Sequence, residues 1–182
     1  MLKENLEDLL KRINFIYKNQ KIFTKCIKDF KGFSIFKERI GPYHEGKTYK
    51  LKLFIATPLI KNNILRIASE DKFENVNVQR DAIIERDSLK LKELESKYFL
   101  DMVKEFRGFM KNAVKNGEKS KTDLDRYNSY SANIIDSRLL KLLRLATSEL
   151  SPSDEKKLTN SESVFIEKIS EWITIWRNHY LN

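Results

Sequence analysis

The run Asp136-Ser137-Arg138-Leu139-Leu140-Lys141-Leu142-Leu143-Arg144-Leu145-Ala146, followed shortly by Leu150-Ser151-Pro152-Ser153-Asp154-Glu155, decides the class of fold. Its leucines recur at three- and four-residue steps between cations, the spacing of a helix that buries one side. Extended upstream, the pattern predicts a helix over 123–147. Leu124, Tyr127, Ile134, Ile135, Leu139, Leu142, Leu143 and Ala146 lie toward one side, with Arg126, Asp136, Arg138, Lys141 and Arg144 around the rest. Asp123 or Thr122 can cap its start. The second run is a helix start: Ser151 as N-cap, Pro152 at the first helical position, and Asp154 three residues after the cap to answer its backbone N–H.

Working outward, Leu91, Leu94, Tyr98, Met102, Phe106, Met110 and Ala113 keep the same spacing, widened by Phe99, Val103 and Phe109. They predict a helix from about Asp87 to Asn116 that Gly117 stops, with a polar loop over 115–121. Beyond a polar break at Thr159-Asn160-Ser161, a terminal helix sets Phe165, Ile169, Trp172, Ile173, Trp176 and Tyr180 on one face, either as core or as a partner interface. Toward the start, Leu2, Leu6, Leu9, Leu10, Ile13 and Tyr17 predict an amphipathic opening helix, and Ile22, Cys26, Ile27 and Phe30 a second one before Gly32. From Gly46 the period changes to two: Tyr49, Leu51, Leu53 and Ile55 read as a strand, and Ile64 to Ile67 as a short second one. Alternatively, Leu53 to Ile60 is a brief helix, which Pro58 permits only near its first turn. The polar stretch Ser69 to Val78 reads as a connector. The expected fold is therefore mainly α: a helical domain of four or more packed helices over 79–182, and a small α+β portion over 1–70.

Composition agrees with this division. The 182 residues carry a formal charge of +9, with 34% charged residues and only five Gly and three Pro, which favours long helices over an all-β fold. Residues 1–70 hold 15 Lys and Arg against 7 Asp and Glu, a net of +8, whereas 71–182 hold 20 against 19. An acidic partner is expected for the first portion. One cysteine excludes an internal disulfide and, with no Cys or His at ligand spacing, makes a zinc module improbable, so a cytoplasmic protein is the default. The charged amino terminus and the lack of any apolar run near ~18 residues lead us to expect neither a cleaved signal nor a membrane partner.

The five glycines, at 32, 41, 46, 108 and 117, cannot write a phosphate-cradling loop. His44 and His179 have no third ligand nearby and read as exposed histidines, and Cys26 reads as a buried structural thiol. Glu93/Glu95 and Asp123/Asp125, two residues apart, point to different helix faces and suggest no shared acid/base site. No catalytic residue, metal or cofactor is expected. Lys21, Lys25, Lys28, Lys31, Lys37, Lys47, Lys50 and Lys52 interleave with Phe23, Phe30, Phe33, Phe36, Tyr43 and Tyr49. This is either a phosphate-tracking surface with stacking aromatics or core aromatics among solvated lysines.

Several of these segments, taken in order, resemble the helical domain of the GINS family, subunits of the archaeal and eukaryotic replicative helicase assembly. Leu91-x-x-Leu94-x-x-x-Tyr98-Phe99-Leu100 resembles the family's "L.ELP..FY" helix, and 136–146 its archaeal "R..KI..LA" core helix. Leu150 to Glu155 is similar to the "LTPEE" start, and Ile169 to Arg177 to the last helix of that domain. Upstream, Leu51 to Leu65 resembles "LPLWLA..L...G.V", with Lys52 at the proline position, Phe54 for tryptophan and Asn63 near the glycine position. The family carries a small β domain either after or before the helical one. With mostly helix expected before residue 49 and the chain stopping at Asn182, that domain reads as reduced, rearranged or lost.

The resemblance implies a non-catalytic DNA replication subunit, associated with the chromosome, that pairs with a GINS paralogue and helps hold the MCM helicase to a RecJ-family partner. It makes Tyr98, Phe99, Phe106, Trp172, Trp176 and Tyr180 candidate apolar anchors, and Arg138 and Arg144 candidate bidentate partners for carboxylates on another chain. Lys21, Lys25, Lys28, Lys31, Lys47, Lys50 and Lys52 are the candidate nucleic-acid contacts. The competing expectations are a basic helical DNA-binding protein and a helical enzyme whose site comes from residues distant in sequence.

Overall fold

The computed structural model describes residues 5–35, 37–71, 73 and 75–181; Leu2 and Phe36, used above, lie outside the described residues. In chain order the elements are α1 (Leu6–Lys18), β1 (Lys21–Cys26), β2 (Phe33–Ile35), β3 (Glu38–Ile40), β4 (Thr48–Lys52), α2 (Leu53–Lys61) and β5 (Leu65–Ile67), then a 3-10 turn at Ser69–Asp71. The helices α3 (Asn75–Asp87), α4 (Phe99–Lys115), α5 (Lys121–Leu145), α6 (Pro152–Glu155) and α7 (Asn160–Leu181) follow. The protein is mainly α, with a small sheet portion. Phe15–Lys72 forms one compact unit, and Met1–Asn14 with Phe73–Asn182 the other. The described residues up to Asn14 thus group with the helical unit, not with the basic portion that the charge count delimits.

In the smaller unit a three-stranded antiparallel sheet has the order β4-β1-β5. The helix expected over Ile22 to Phe30 is instead the central strand β1. Ile22, Thr24 and Cys26 point inward and Lys21, Phe23 and Lys25 outward. Residue polarity masks this alternation: Thr24 is polar yet buried, its hydroxyl donating to the Tyr49 carbonyl at 3.0 Å, while Phe23 is apolar yet exposed. With those two misplaced, Ile22 and Cys26 four residues apart look helical. The strand expected through Ile55 ends at Lys52, because Leu53 opens α2, the alternative considered above. Leu53, Ala56, Leu59 and Ile60 form the buried face of α2. Pro58 lies in the middle of this helix rather than in its first turn; the carbonyl it leaves without a donor belongs to Phe54, an exposed residue. The expected short strand at 64–67 is β5. Around the β2–β3 hairpin, Gly32 adopts φ +86°, and a Cβ there would stand 2.2 Å from the Ile40 carbonyl oxygen, so only glycine fits.

In the helical unit α5 is central, packed by α3, α4 and α7. Phe73, Phe99, Phe106 and Phe109 form a chain of edge-on ring contacts with centroids 5.5–5.9 Å apart. The Tyr127 hydroxyl donates to the Val103 carbonyl at 3.2 Å, tying α5 to α4. A second cluster gathers Leu91, Leu142, Leu158 and Ile166.

Three expected boundaries change. The connector over 69–78 already enters α3, whose buried positions Val78, Ala82 and Glu85 include a charge and so show no apolar period. The helix expected from Asp87 begins at Phe99, because the 88–98 backbone is bonded elsewhere. The Lys92 N–H donates to Glu85, the Lys92 carbonyl accepts from Arg138, and the Lys97 carbonyl accepts from the Asn160 N–H. α5 starts at an N-cap Ser120, which forms a capping box with Asp123, rather than at Thr122 or Asp123. Ser151, Pro152 and Asp154 start α6 as expected.

Candidate functional site

The buried residues of α5 are Tyr127, Ser131, Ile134, Arg138 and Leu142, a stripe at helical spacing that runs through an arginine. Arg138 is 1% exposed and spends all five N–H donors inside the chain. Nε and Nη2 grip the two oxygens of Glu162, Nη1 donates to Glu85 at 2.8 Å, and the remaining donors meet the carbonyls of Lys92 at 2.9 Å and Lys157 at 3.0 Å. Lys141, one turn on, completes Glu85 from the other oxygen. Two carboxylates thus face two cations. Burial works against the Arg138 charge, but the hydrogen bonds and field of Glu162 and Glu85 outweigh it and hold its pKa above the ordinary arginine value. Sequence reasoning put Arg138 on the outer face as a partner contact; the structure corrects this to the hub joining α3, the 88–98 segment, α5 and α7. The partner-binding expectation for Phe99 is corrected likewise: Phe99 is fully buried against Phe73. Phe106 is core, Tyr98 is half-buried at the α4 N-cap, and Arg144 is exposed.

The terminal helix behaves differently. Ile166 is buried, Phe165, Ile169 and Ile173 are half-buried, and Trp172, Trp176 and Tyr180 are 58%, 64% and 68% exposed. Of the two readings of this stripe, core does not hold for its last aromatic residues. Trp176 and Tyr180 lie against each other, ring centroids 5.2 Å apart, with Ile175 exposed nearby in sequence. The Ser170 hydroxyl and the Arg177 guanidinium donate to the Ala146 and Thr147 carbonyls at the end of α5. α5 also exposes Ile135, Leu139, Leu140 and Leu143. Three of the eight residues of the apolar face read from its sequence, Ile135, Leu139 and Leu143, therefore lie with Leu140 on a second stripe, on the outside.

All seven candidate nucleic-acid lysines are exposed. The sheet brings four of them together: Lys21 opposes Lys52, and Phe23, flanked by Lys21 and Lys25, opposes Lys50. Lys28, Lys31 and Lys47 lie in loops. Arg66, opposite Lys25 on β5, joins the same face and was missed because a single cation in a three-residue strand carries no signal. Cys26 is buried with its thiol donating to the Lys28 carbonyl, now on a strand. His44 and His179 are exposed. Among the described residues no group of three or more His, Cys, Asp and Glu side chains is placed to hold a metal ion, and no helix is long and apolar enough to cross a membrane. No protein-family model matches the chain, and no curated protein matches it.

Proposed function

We propose that this chain is a GINS-type subunit, a non-catalytic scaffold of a DNA replication assembly that pairs with a paralogous chain through its helical unit and helps hold the MCM helicase to a RecJ-family partner. The observation that carries the proposal is the exposed aromatic side of α7. Trp172, Ile175, Trp176 and Tyr180 face water on a helix anchored through Ile166. Each such side chain gains about 1.5–3 kcal/mol when another surface covers it, and Trp and Tyr are the residues interfaces use as anchors. The order of units adds support. A small α+β unit over 15–72 precedes the bulk of the helical unit, which is one of the family's two arrangements, and the misfit expected from a helical reading of β1 falls away.

A tagged full-length chain, purified at moderate salt and weighed as a complex, is expected to carry a stoichiometric second chain with the same succession of helices. Recovery as a stable monomer without helicase-assembly partners would sink the proposal. The double substitution Trp172→Ala, Trp176→Ala separates interface from core: circular dichroism and Tm stay within a few degrees of wild type while the complex dissociates. Unfolding of the isolated variant would return both tryptophans to the core.

A further inference from the structure

We propose that the open face of the β4-β1-β5 sheet binds single-stranded nucleic acid, its phosphates held by Lys21, Lys25, Lys50, Lys52 and Arg66 and a base stacked on Phe23. This activity is separate from the scaffold role and stands on different residues, all within Phe15–Lys72.

The antiparallel register places these side chains on one face. Lys21 pairs with Lys52, Phe23 with Lys50, and Lys25 with both Thr48 and Arg66. Directly opposed residues stand about 4.5–5.5 Å apart, and the next residue on the same face of a strand about 7 Å on, so the cations form a lattice rather than a scatter. No carboxylate occupies any position of this face in the paired register. Two of the cross-strand pairs, Lys21 with Lys52 and Lys25 with Arg66, set like charges against each other, which weakens a sheet unless an anion lies over it. Every one of these cations is exposed. The face is thus complementary to a chain of closely spaced negative charges.

Phe23 selects among such chains. It sits on the central strand, 39% exposed, with no core to reach on this side. Its backbone is fixed on both flanks, the N–H donating to Asp71 and the carbonyl accepting from the Ala68 N–H at 2.9 Å. Lys50 Nζ lies 4.8 Å from its ring centroid, and Lys52 Nζ 5.8 Å from the exposed Phe54 ring. An aromatic ring presented among cations offers a π-face to an unpaired base while its neighbours hold the adjoining phosphates. A duplex keeps its base faces stacked, so the ring favours an unpaired strand. Beside Phe23 on the sheet, Lys25, Thr48, Arg66, Ser69 and Glu70 line a depression of about 280 Å³. Two cations and two hydroxyls converge there, and the one carboxylate, Glu70, accepts from the Ser69 hydroxyl at 3.2 Å.

The test is fluorescence anisotropy of a labelled oligothymidine of about 20 nucleotides, long enough for one such site, titrated with the full-length chain. The expected slope of log K against log salt, between about 50 and 200 mM, is about −0.7 for each neutralised phosphate, or about −2 to −3.5 for three to five contacts. Lys25→Glu with Arg66→Glu weakens binding by more than about tenfold, and Phe23→Ala by about 5- to 100-fold. Phe23→Trp, which keeps a stacking ring, binds like the wild type. The same two charge reversals on α4, Lys104→Glu with Lys111→Glu, change affinity less than about twofold. Equal losses from the α4 and sheet variants would reduce the binding to net charge and overturn the proposal. So would equal competition by a duplex of the same length or by polyglutamate, or no binding at the lowest salt.

Discussion

Alanine in place of Arg138 removes five donors at once and leaves two carboxylates where they were. Glu162 then retains the Thr159 N–H at 2.8 Å, Glu85 retains Lys141 and the Lys92 N–H, and the carbonyls of Lys92 and Lys157 lose their guanidinium partner. Removing one partner of a buried ion pair costs about 3–5 kcal/mol, because the remaining charge stays out of water uncompensated. Against a total stability of about 5–15 kcal/mol this is a large fraction. With a urea m-value near 2 kcal/mol/M, a loss of about 4 kcal/mol lowers the unfolding midpoint by about 2 M. The assay is urea unfolding of the full chain followed by far-UV circular dichroism. A companion variant with Arg138, Glu85 and Glu162 all replaced by Met removes the guanidinium and both carboxylates, leaving Lys141 with its bond to the backbone carbonyl of residue 85. It is expected to recover at least half of the loss, since apolar replacement of a whole buried ionic set is often neutral. A midpoint shift below about 0.5 M for Arg138→Ala, in a chain that folds normally but no longer holds its partner, would falsify the hub and restore Arg138 to the surface.

Three further substitutions test close backbone approach and the burial of a single carboxyl. Gly32→Ala sets a Cβ 2.2 Å from the Ile40 carbonyl oxygen at φ +86° and is expected to cost at least about 2 kcal/mol, whereas Gly46→Ala, at φ +80° with nothing within 4 Å, costs only about 1. Equal losses of Tm would mean that the close approach is not real. Burial holds the Asp101 carboxyl above the ordinary range, against hydrogen bonds from Asn14 and Ser161 that pull it down. A folded-state pKa above the unfolded one contributes stability that is present below the unfolded value and lost as pH rises through the folded value. Asp101→Asn, fixed in the neutral form, is therefore expected to raise Tm by about 1–3 °C at pH 7, the gain vanishing below about pH 4. A gain that persists in acid would contradict the cause.

The parts of the fold that were legible in the sequence are those in which local chemistry and tertiary packing ask for the same thing. Ser151, Pro152 and Asp154 start α6 because the capping bonds are local, and Gly117 follows α4 with φ +75° for the same reason. The parts that misled are those in which a residue's polarity opposes its place. Thr24 is buried because Tyr49 supplies an acceptor, Phe23 is exposed because the face it stands on is open, and together they hide a strand. α3 escaped notice because Glu85 occupies a core position, a choice that makes sense only once Arg138 and Lys141, more than fifty residues on, are brought beside it. Nothing near Glu85 in the sequence carries that information.

The candidate contacts on α5 divide for the same physical reason. α5 carries two stripes of long side chains, and hydrophobicity alone assigns the leucines inward and the arginine outward. The structure reverses this for Arg138 because a guanidinium can be buried when each of its five donors finds an acceptor, and two glutamates and two carbonyls supply them. With Arg138 on the inner stripe, Leu139 and Leu143, one and five residues to its C-terminal side, lie about 100° and 140° round the helix from it and face outward, while Ile135, three residues before it, stands at the edge between the two sets. Their exposure is thus a consequence of the ionic hub and not a packing defect. It leaves an apolar surface on α5 to match that of α7, where Trp172 and Trp176 stand clear of the core. Two helices of one unit thus keep large apolar side chains in water, which supports the proposed pairing with a second chain, and on one of them the buried arginine is what turns those side chains outward.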